Sequence, residues 1–188
     1  IFGDKVTYVA HVKTREIIER WFKGRLPVPN LTFETNETLE VNGVKLDLIY
    51  KGQNHCEGNI FIHSKKHKIL VAIDIISPGW SAFKHCDASE NIRGWIEAHD
   101  LILDYEFDAL VSGHVNRFGT REDAITSRNY TQDILQFSRD AMQDVDYGPL
   151  LERIGLSNAW VLWENYFNEL TNYVTKKTLT KVTDNGQN

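Results

Sequence analysis

Apolar and polar positions follow two rhythms along this chain. The first half reads mostly with a period of two, or as short unbroken apolar runs, and the second half reads with the spacing of helices. Val6 to Ala10 predicts a buried strand and Leu31 to Phe33 a short one, with the breaker Pro27-Val28-Pro29-Asn30 between them. Thr14 is placed to cap a helix carrying Ile17, Ile18 and Trp21, ending near Gly24. Leu39 to Val41 and Val44 to Ile49 flank Asn42-Gly43, and Asn-Gly supplies the positive φ angles that a type I′ hairpin turn demands. A second hairpin is expected from Asn59 to His63 and Ile69 to Ile73, around a basic turn at Ser64 to Lys68. The second strand of that hairpin is continuously apolar, which predicts burial on both faces.

Helices dominate from there on. Asp87 with Glu90 makes a capping-box pattern for a helix to about Tyr105, with Ile92, Trp95, Ile96 and His99 on one side. Ala109 to Ser112 predicts a short strand. Thr120 with Asp123 repeats the capping-box pattern and opens a long helix through about Val145. Asn158 to about Thr175 predicts another helix, rich in Trp160, Trp163, Tyr166 and Phe167, and Lys176 to Asn188 reads as a frayed tail. There is no internal repeat and no low-complexity segment. The order predicts a mixed α/β protein.

Composition narrows the class of partner. At 188 residues the chain is one domain, or one domain with a helical appendage, and it is long enough to bury a substantial core. The net charge of −5, with acids and bases interspersed, gives no basic stripe for nucleic acid or an anionic membrane. No apolar stretch approaches the roughly 20 residues that span a bilayer, so a soluble protein with a small-molecule substrate is expected. Its compartment stays open, because Cys56 and Cys86 are free to pair, to remain thiols or to flank a metal. Three glycosylation-type triplets, at Asn30, Asn36 and Asn129, are short enough to occur by chance. The chain starts at Ile1 rather than Met, and no signal peptide is visible.

The candidate chemistry lies in three polar residues at expected strand ends: His55, Asp74 and His114. Two imidazoles and a carboxylate suit a borderline metal such as zinc. Centring the second hairpin on Lys66 sets Gly58 opposite Asp74, with His55 just beyond, so His55 and Asp74 should meet at one sheet end. If the strand before His114 runs parallel to the one before Asp74, all three share the carboxyl edge of the sheet. A lone strand-end histidine is more often structural, and Asp74 equally suits a turn before Ser77-Pro78-Gly79. His63 and His67 flank a Lys-rich turn and read as solvated; His11 and His85 stand alone, and His99 falls on a helix face. Cys56 beside His55 is more simply a buried thiol than a ligand. Trp80 is a candidate wall of a substrate pocket or a packed loop aromatic.

With these pieces in place the chain resembles the metallo-β-lactamase superfamily. The matching segments are His55-Cys56-Glu57-Gly58-Asn59, Val71-Ala72-Ile73-Asp74 and Ser112-Gly113-His114, in the family's order. Val115 to Asp123, which contains the candidate substrate contact Asn116, resembles a hydrolase branch. The resemblance covers about residues 1 to 140. It implies an αβ/βα sandwich with two divalent metals at one sheet edge, zinc first, with iron or manganese as alternatives. It further implies that His55 holds the first metal, that Asp74 bridges both as the catalytic carboxylate, and that His114 holds the second. A hydroxide activated by the metals would then attack the scissile bond.

Two departures shape what is expected. The family's His-x-His-x-Asp-His motif is absent. It would precede a segment like Phe2-Gly3-Asp4, so the chain is expected to be a member that begins just after it, with about half a site. Asp74 stands where the main antibiotic-cleaving enzymes carry Cys, which by resemblance favours ester, thioester or lactone hydrolysis. The expected organisation is a family domain over residues 1–146 and a helical extension over 147–188, the aromatic helix packing a core, covering the pocket or making a dimer contact. Self-association through an uncovered apolar face is expected, giving a homo-oligomer. The alternatives are a non-catalytic interaction module on the same fold, or an unrelated α/β binding domain whose His and Asp residues are structural.

Overall fold

The computed structural model describes residues 5–82 and 84–185, with the backbone alone at 84, 85, 184 and 185. The expected Phe2-Gly3-Asp4 segment, the His85 side chain and residues 186–188 lie outside that description. The chain divides into two compact units, 1–128 and 129–188, and the division falls inside a helix.

The first unit is built on a five-stranded sheet. Its order is β3 (Asn36–Val41), β4 (Val44–Ile49), β5 (Phe61–Ser64), β6 (Ile69–Ala72) and β7 (Ala109–Val111). The first four strands run antiparallel in a meander. β7 joins β6 in parallel after a crossover containing α3 (Ile92–Leu103), which is the condition for the strand ends before Asp74 and His114 to share one edge. The first hairpin turns at Asn42 and Gly43, at φ 51° and 79°, which is the left-handed pair that Asn-Gly predicts. β1 (Val9–His11) and β2 (Leu31–Phe33) form a separate parallel pair around α1 (Val12–Trp21).

Several expectations shift by a few residues. The second hairpin pairs Phe61 with Ala72, one residue out of the expected register, because a 3₁₀ turn at Lys65–His67 and a left-handed Lys68 lengthen the connection. Asn59, not Gly58, therefore falls in line with Asp74, and its Nδ2 donates to the Ile73 carbonyl at 3.0 Å. β6 is not buried throughout: Leu70 and Ala72 are inside, Val71 is half-buried and Ile69 is exposed. His11, not Thr14, caps α1, its Nδ1 accepting from the Lys13 amide at 3.3 Å. Asp87 does not open α3; Asn91 does, accepting from the Gly94 amide at 3.0 Å, because residues 84–88 form their own short turn, α2.

The core of this unit gathers Phe61, Leu70, Ile75, Ile76, Trp95, Ala98, Ile102 and Leu110 between the sheet and α3. His63 is a correction: it is buried rather than solvated, because β5 turns it inward beside Tyr105, and its Nε2 donates to the Glu106 carbonyl at 2.9 Å. His99 is fully buried in the same core, and burial pushes its pKa down.

The long helix α4 (Arg121–Asp144) opens on the expected capping box. The Asp123 carboxylate accepts from the Thr120 amide at 2.8 Å, and the Thr120 hydroxyl accepts from the Asp123 amide at 3.2 Å. Arg117 adds a forked pair to the same carboxylate at 2.7 and 2.9 Å. Arg117 foremost, with the Thr120 amide and hydroxyl, holds the Asp123 pKa well below the usual aspartate range. Its contribution to stability is thus complete above the unfolded value near 3.9 and fades as pH falls below that. Asp123→Asn is expected to lose about 1 kcal/mol of capping at pH 7. In urea melts run against pH, the gap from wild type should narrow below about pH 4. A gap that stays constant down to pH 2 would contradict this.

In the second unit, α5 (Gly148–Ile154) is followed by α6 (Ala159–Asn185). Tyr147, Trp163, Tyr166 and Phe167 form one aromatic cluster, while Trp160 is 86% exposed. The segment expected to fray from Lys176 is helical to Asn185. Lys181 pairs with Asp133 at 2.6 Å, and the Thr178 hydroxyl donates to the Val174 carbonyl, so the last turns are held from both outside and within.

Candidate metal centre

Sequence folds the candidate donors onto one edge because three chain reversals meet there. β6 ends at Ala72, and two residues later Asp74 takes a left-handed conformation at φ 66°. β7 ends at Val111, and the chain turns through Gly113 and His114 at φ 78° and 46°. A side chain on Gly113 would press on Ile73 and Asp74, so glycine lets the two strand ends close up. His55 sits on the loop before β5. Asn54, buried beneath it, accepts from the His55 amide at 2.7 Å and from Asn59 at 2.9 Å.

The structure therefore brings the three expected residues together. His55 Nδ1 lies 3.6 Å from Asp74 Oδ2, and His114 Nε2 lies 3.0 Å from Asp74 Oδ1. His55 and Asp74 are each 21% exposed, while the His114 side chain is 77% exposed. They line a pocket of about 470 Å³ with Ser77, Asp87, Ala88 and Ser112, a size suited to a small molecule.

Hydrogen bonding fixes what these atoms offer. His55 Nε2 contacts the Asp87 carbonyl at 2.8 Å. A carbonyl only accepts, so Nε2 carries the proton and a neutral ring presents a bare lone pair at Nδ1. That nitrogen is buried with no hydrogen-bond partner, and so is Asp74 Oδ1, since His114 approaches it off the bonding direction. His55 Nδ1 faces the other carboxylate oxygen, Oδ2, and a lone pair set against a carboxylate oxygen wants a cation between them. A metal-binding histidine usually donates its other N–H to a carbonyl in this way. Two bonds of about 2.0–2.1 Å at a tetrahedral angle separate their donors by about 3.3 Å. The observed pairs, at 3.6 and 3.0 Å, bracket that spacing, one on each carboxylate oxygen. Donor chemistry thus fits a metal pairwise. Among the described residues, no group of three or more His, Cys, Asp or Glu side chains is arranged to hold one ion as it stands.

The remaining candidates lie apart from this cluster. Trp80 is 70% exposed and Asn116 is exposed; neither lines the pocket. The Cys56 thiol is pushed up by burial, and further by Glu90 and Asp74, and it does not line the pocket. Four lining residues, Ser77, Asp87, Ala88 and Ser112, were not among the expected site residues. Ser112, buried with its hydroxyl unpartnered, stood inside the Ser112-Gly113-His114 segment and was legible there. Asp87 was not: it reaches the pocket through three successive left-handed residues, Cys86, Asp87 and Ala88, at φ 51°, 57° and 59°. No residue type there announces that conformation.

No family model matches the chain, and no curated protein sequence matches it. Solved structures do. A metallo-β-lactamase from Pontibacter korlensis is 19% identical with a TM-score of 0.58, over 68% of this chain and 58% of that one. A metallo-β-lactamase family protein from Thermus thermophilus is 15% identical with a TM-score of 0.53, over 96% of this chain and 67% of that one. A variant of a sec-alkyl sulfatase is 18% identical with a TM-score of 0.53, over 69% of this chain and 22% of that one. The chain spans 58% of the length of the first of these. At such identities the likeness is one of backbone, and it is enough to say that the chain has the metallo-β-lactamase fold.

Proposed function

We propose that this chain supplies a metal-binding edge to a metal-dependent hydrolase acting on ester, thioester or lactone bonds. The observation that carries the reading is His55 Nδ1, buried without a hydrogen bond and set against Asp74, with His114 on the other carboxylate oxygen. His55 would hold one divalent ion, His114 a second, and Asp74 would lie between them; zinc, iron and manganese all accept this donor mixture. Bound there, such ions supply a Lewis acid at neutral pH. The chain's own groups do the rest. The Asp87 carbonyl fixes the His55 ring and its tautomer. The unpartnered Ser112 hydroxyl is placed to receive a hydrogen bond from a bound molecule or donate one to it. The sulfatase and lactamases of the same fold are hydrolases by name, which supports the reaction class; Asp rather than Cys at position 74 supports the ester-type substrate.

Zinc or cobalt added to metal-free chain is expected to raise its melting temperature. At about 100 times the dissociation constant the gain should be about 2.7 kcal/mol. The protein bearing this chain should hydrolyse a thioester or lactone and lose that activity in Asp74→Ala. Full hydrolysis by metal-stripped Asp74→Ala would sink the reading. The same fold used as a non-catalytic binding module is favoured by the open donor set, and it predicts no thermal shift with either ion.

A further inference from the structure

Asp74 stands in the left-handed region, at a φ of 66°, which aspartate enters more readily than most residues but where its neighbours must still hold it. Both of its backbone polar groups are tied. Its amide donates to the Ser112 carbonyl at 3.1 Å, and its carbonyl accepts from the Trp95 indole Nε1 at 3.0 Å. Trp95 is 2% exposed and stands in α3, edge-on to His99 at 4.6 Å between ring centroids. A buried indole N–H needs an acceptor, and here the acceptor is the peptide whose twist decides where the carboxylate points.

We propose that Trp95 is a positioning residue for Asp74, its indole N–H locking the left-handed peptide that aims the carboxylate between His55 and His114; as a statement about a metal ligand this rests on the function proposed above. The Ser112 bond fixes Asp74 to the turn that follows β7, and the Trp95 bond fixes it to α3. The carboxylate is thus held from two elements that the chain could otherwise move independently. Loss of the N–H leaves the Asp74 carbonyl partnerless beside the core and frees the peptide to relax toward negative φ, which swings the carboxylate away from the imidazoles.

The test replaces Trp95 by Phe and, separately, by β-(3-benzothienyl)alanine, which keeps the bicyclic shape and lacks the donor. Ile102→Val, in the same helix and away from Asp74, serves as a control for lost packing. Amide hydrogen exchange reads the positioning without any metal: in both Trp95 variants the Asp74 amide should exchange about 10-fold faster, with Leu70 and Val71 unchanged. Cobalt titration reads the site: affinity should fall about 10- to 100-fold in both variants and stay at the wild-type value in Ile102→Val. Wild-type exchange at Asp74 in the benzothienyl variant overturns the proposal. So does unchanged cobalt affinity in that variant when the wild-type chain binds the ion. A wild-type chain that takes up no cobalt defeats the metal reading instead, and the exchange result still decides whether Trp95 holds Asp74.

Discussion

Replacing Asp74 by Asn is expected to abolish metal binding while leaving the chain folded and slightly more stable in its metal-free form. Asn tolerates the left-handed conformation at this position about as well as Asp, so the backbone at φ 66° keeps its shape. What changes is charge. The carboxylate is half-buried, and its Oδ1, closed off from solvent, has no hydrogen bond. An amide removes the desolvation penalty and can donate to the lone pair on His55 Nδ1. Loss of an outer-shell partner costs up to about 100-fold in metal affinity, and the fall here should be larger, since both imidazoles lose their shared anion. The metal-free melting temperature should rise by a few degrees, about what 0.5–1 kcal/mol gives in a chain of this size. Calorimetric zinc titration beside thermal melts checks both arms. A drop in metal-free stability would mean that Asp74 serves the fold before it serves a metal.

Gly94→Ala is expected to be strongly destabilising, against the usual sign of that exchange. Inside a helix, Ala is ordinarily favoured over Gly by about 1 kcal/mol. Gly94 lies in the first turn of α3, where its amide is the one capped by Asn91. A methyl built on it would overlap the Gln53 carbonyl oxygen and sit 2.9 Å from Asn91 Nδ2. The obstruction is backbone, fixed in place because Asn91 Nδ2 donates to that same carbonyl at 3.0 Å and the Asn91 amide donates to the Asn54 carbonyl at 3.1 Å. Helix and loop must part, which opens the cap and shifts Trp95 next door. Overpacking costs about 1–3 kcal/mol and a lost cap about 1 more, so about 2–4 kcal/mol is expected. Urea denaturation of the purified variant measures it; an unchanged or raised midpoint would show that the loop can yield.

The sheet was legible because its signals are local. Asn42-Gly43 names a turn type, and the strand before His114 follows a helix-length segment, which calls for a parallel return beside β6. The meeting of His55 with Asp74 survived a one-residue error in hairpin register because both lie beyond the paired residues, where the loop absorbs the slip. The fate of individual polar residues was less legible. His63 sits close to lysines in sequence yet is buried in space, since it lies within β5 while Lys65 and Lys66 lie in the 3₁₀ turn beyond the strand. Asn91 displaced Asp87 as the cap of α3 because residues 86–88 turn left-handed, a conformation that only tertiary contacts, such as His55 on the Asp87 carbonyl, select. The role of Trp95 was hidden for a different reason: its spacing placed it on one side of the helix with Ile96 and His99, and nothing in spacing shows where an N–H points.

Asp74, Asp87 and His114 all stand at positive φ without being glycine. A library of this chain selected only for staying folded should therefore drift at these three positions toward glycine and asparagine, which hold such angles with least strain. Selection for activity would have to oppose that drift. The difference between the two populations, position by position, would weigh how much of this edge is kept for chemistry and how much for architecture, before any substrate is known.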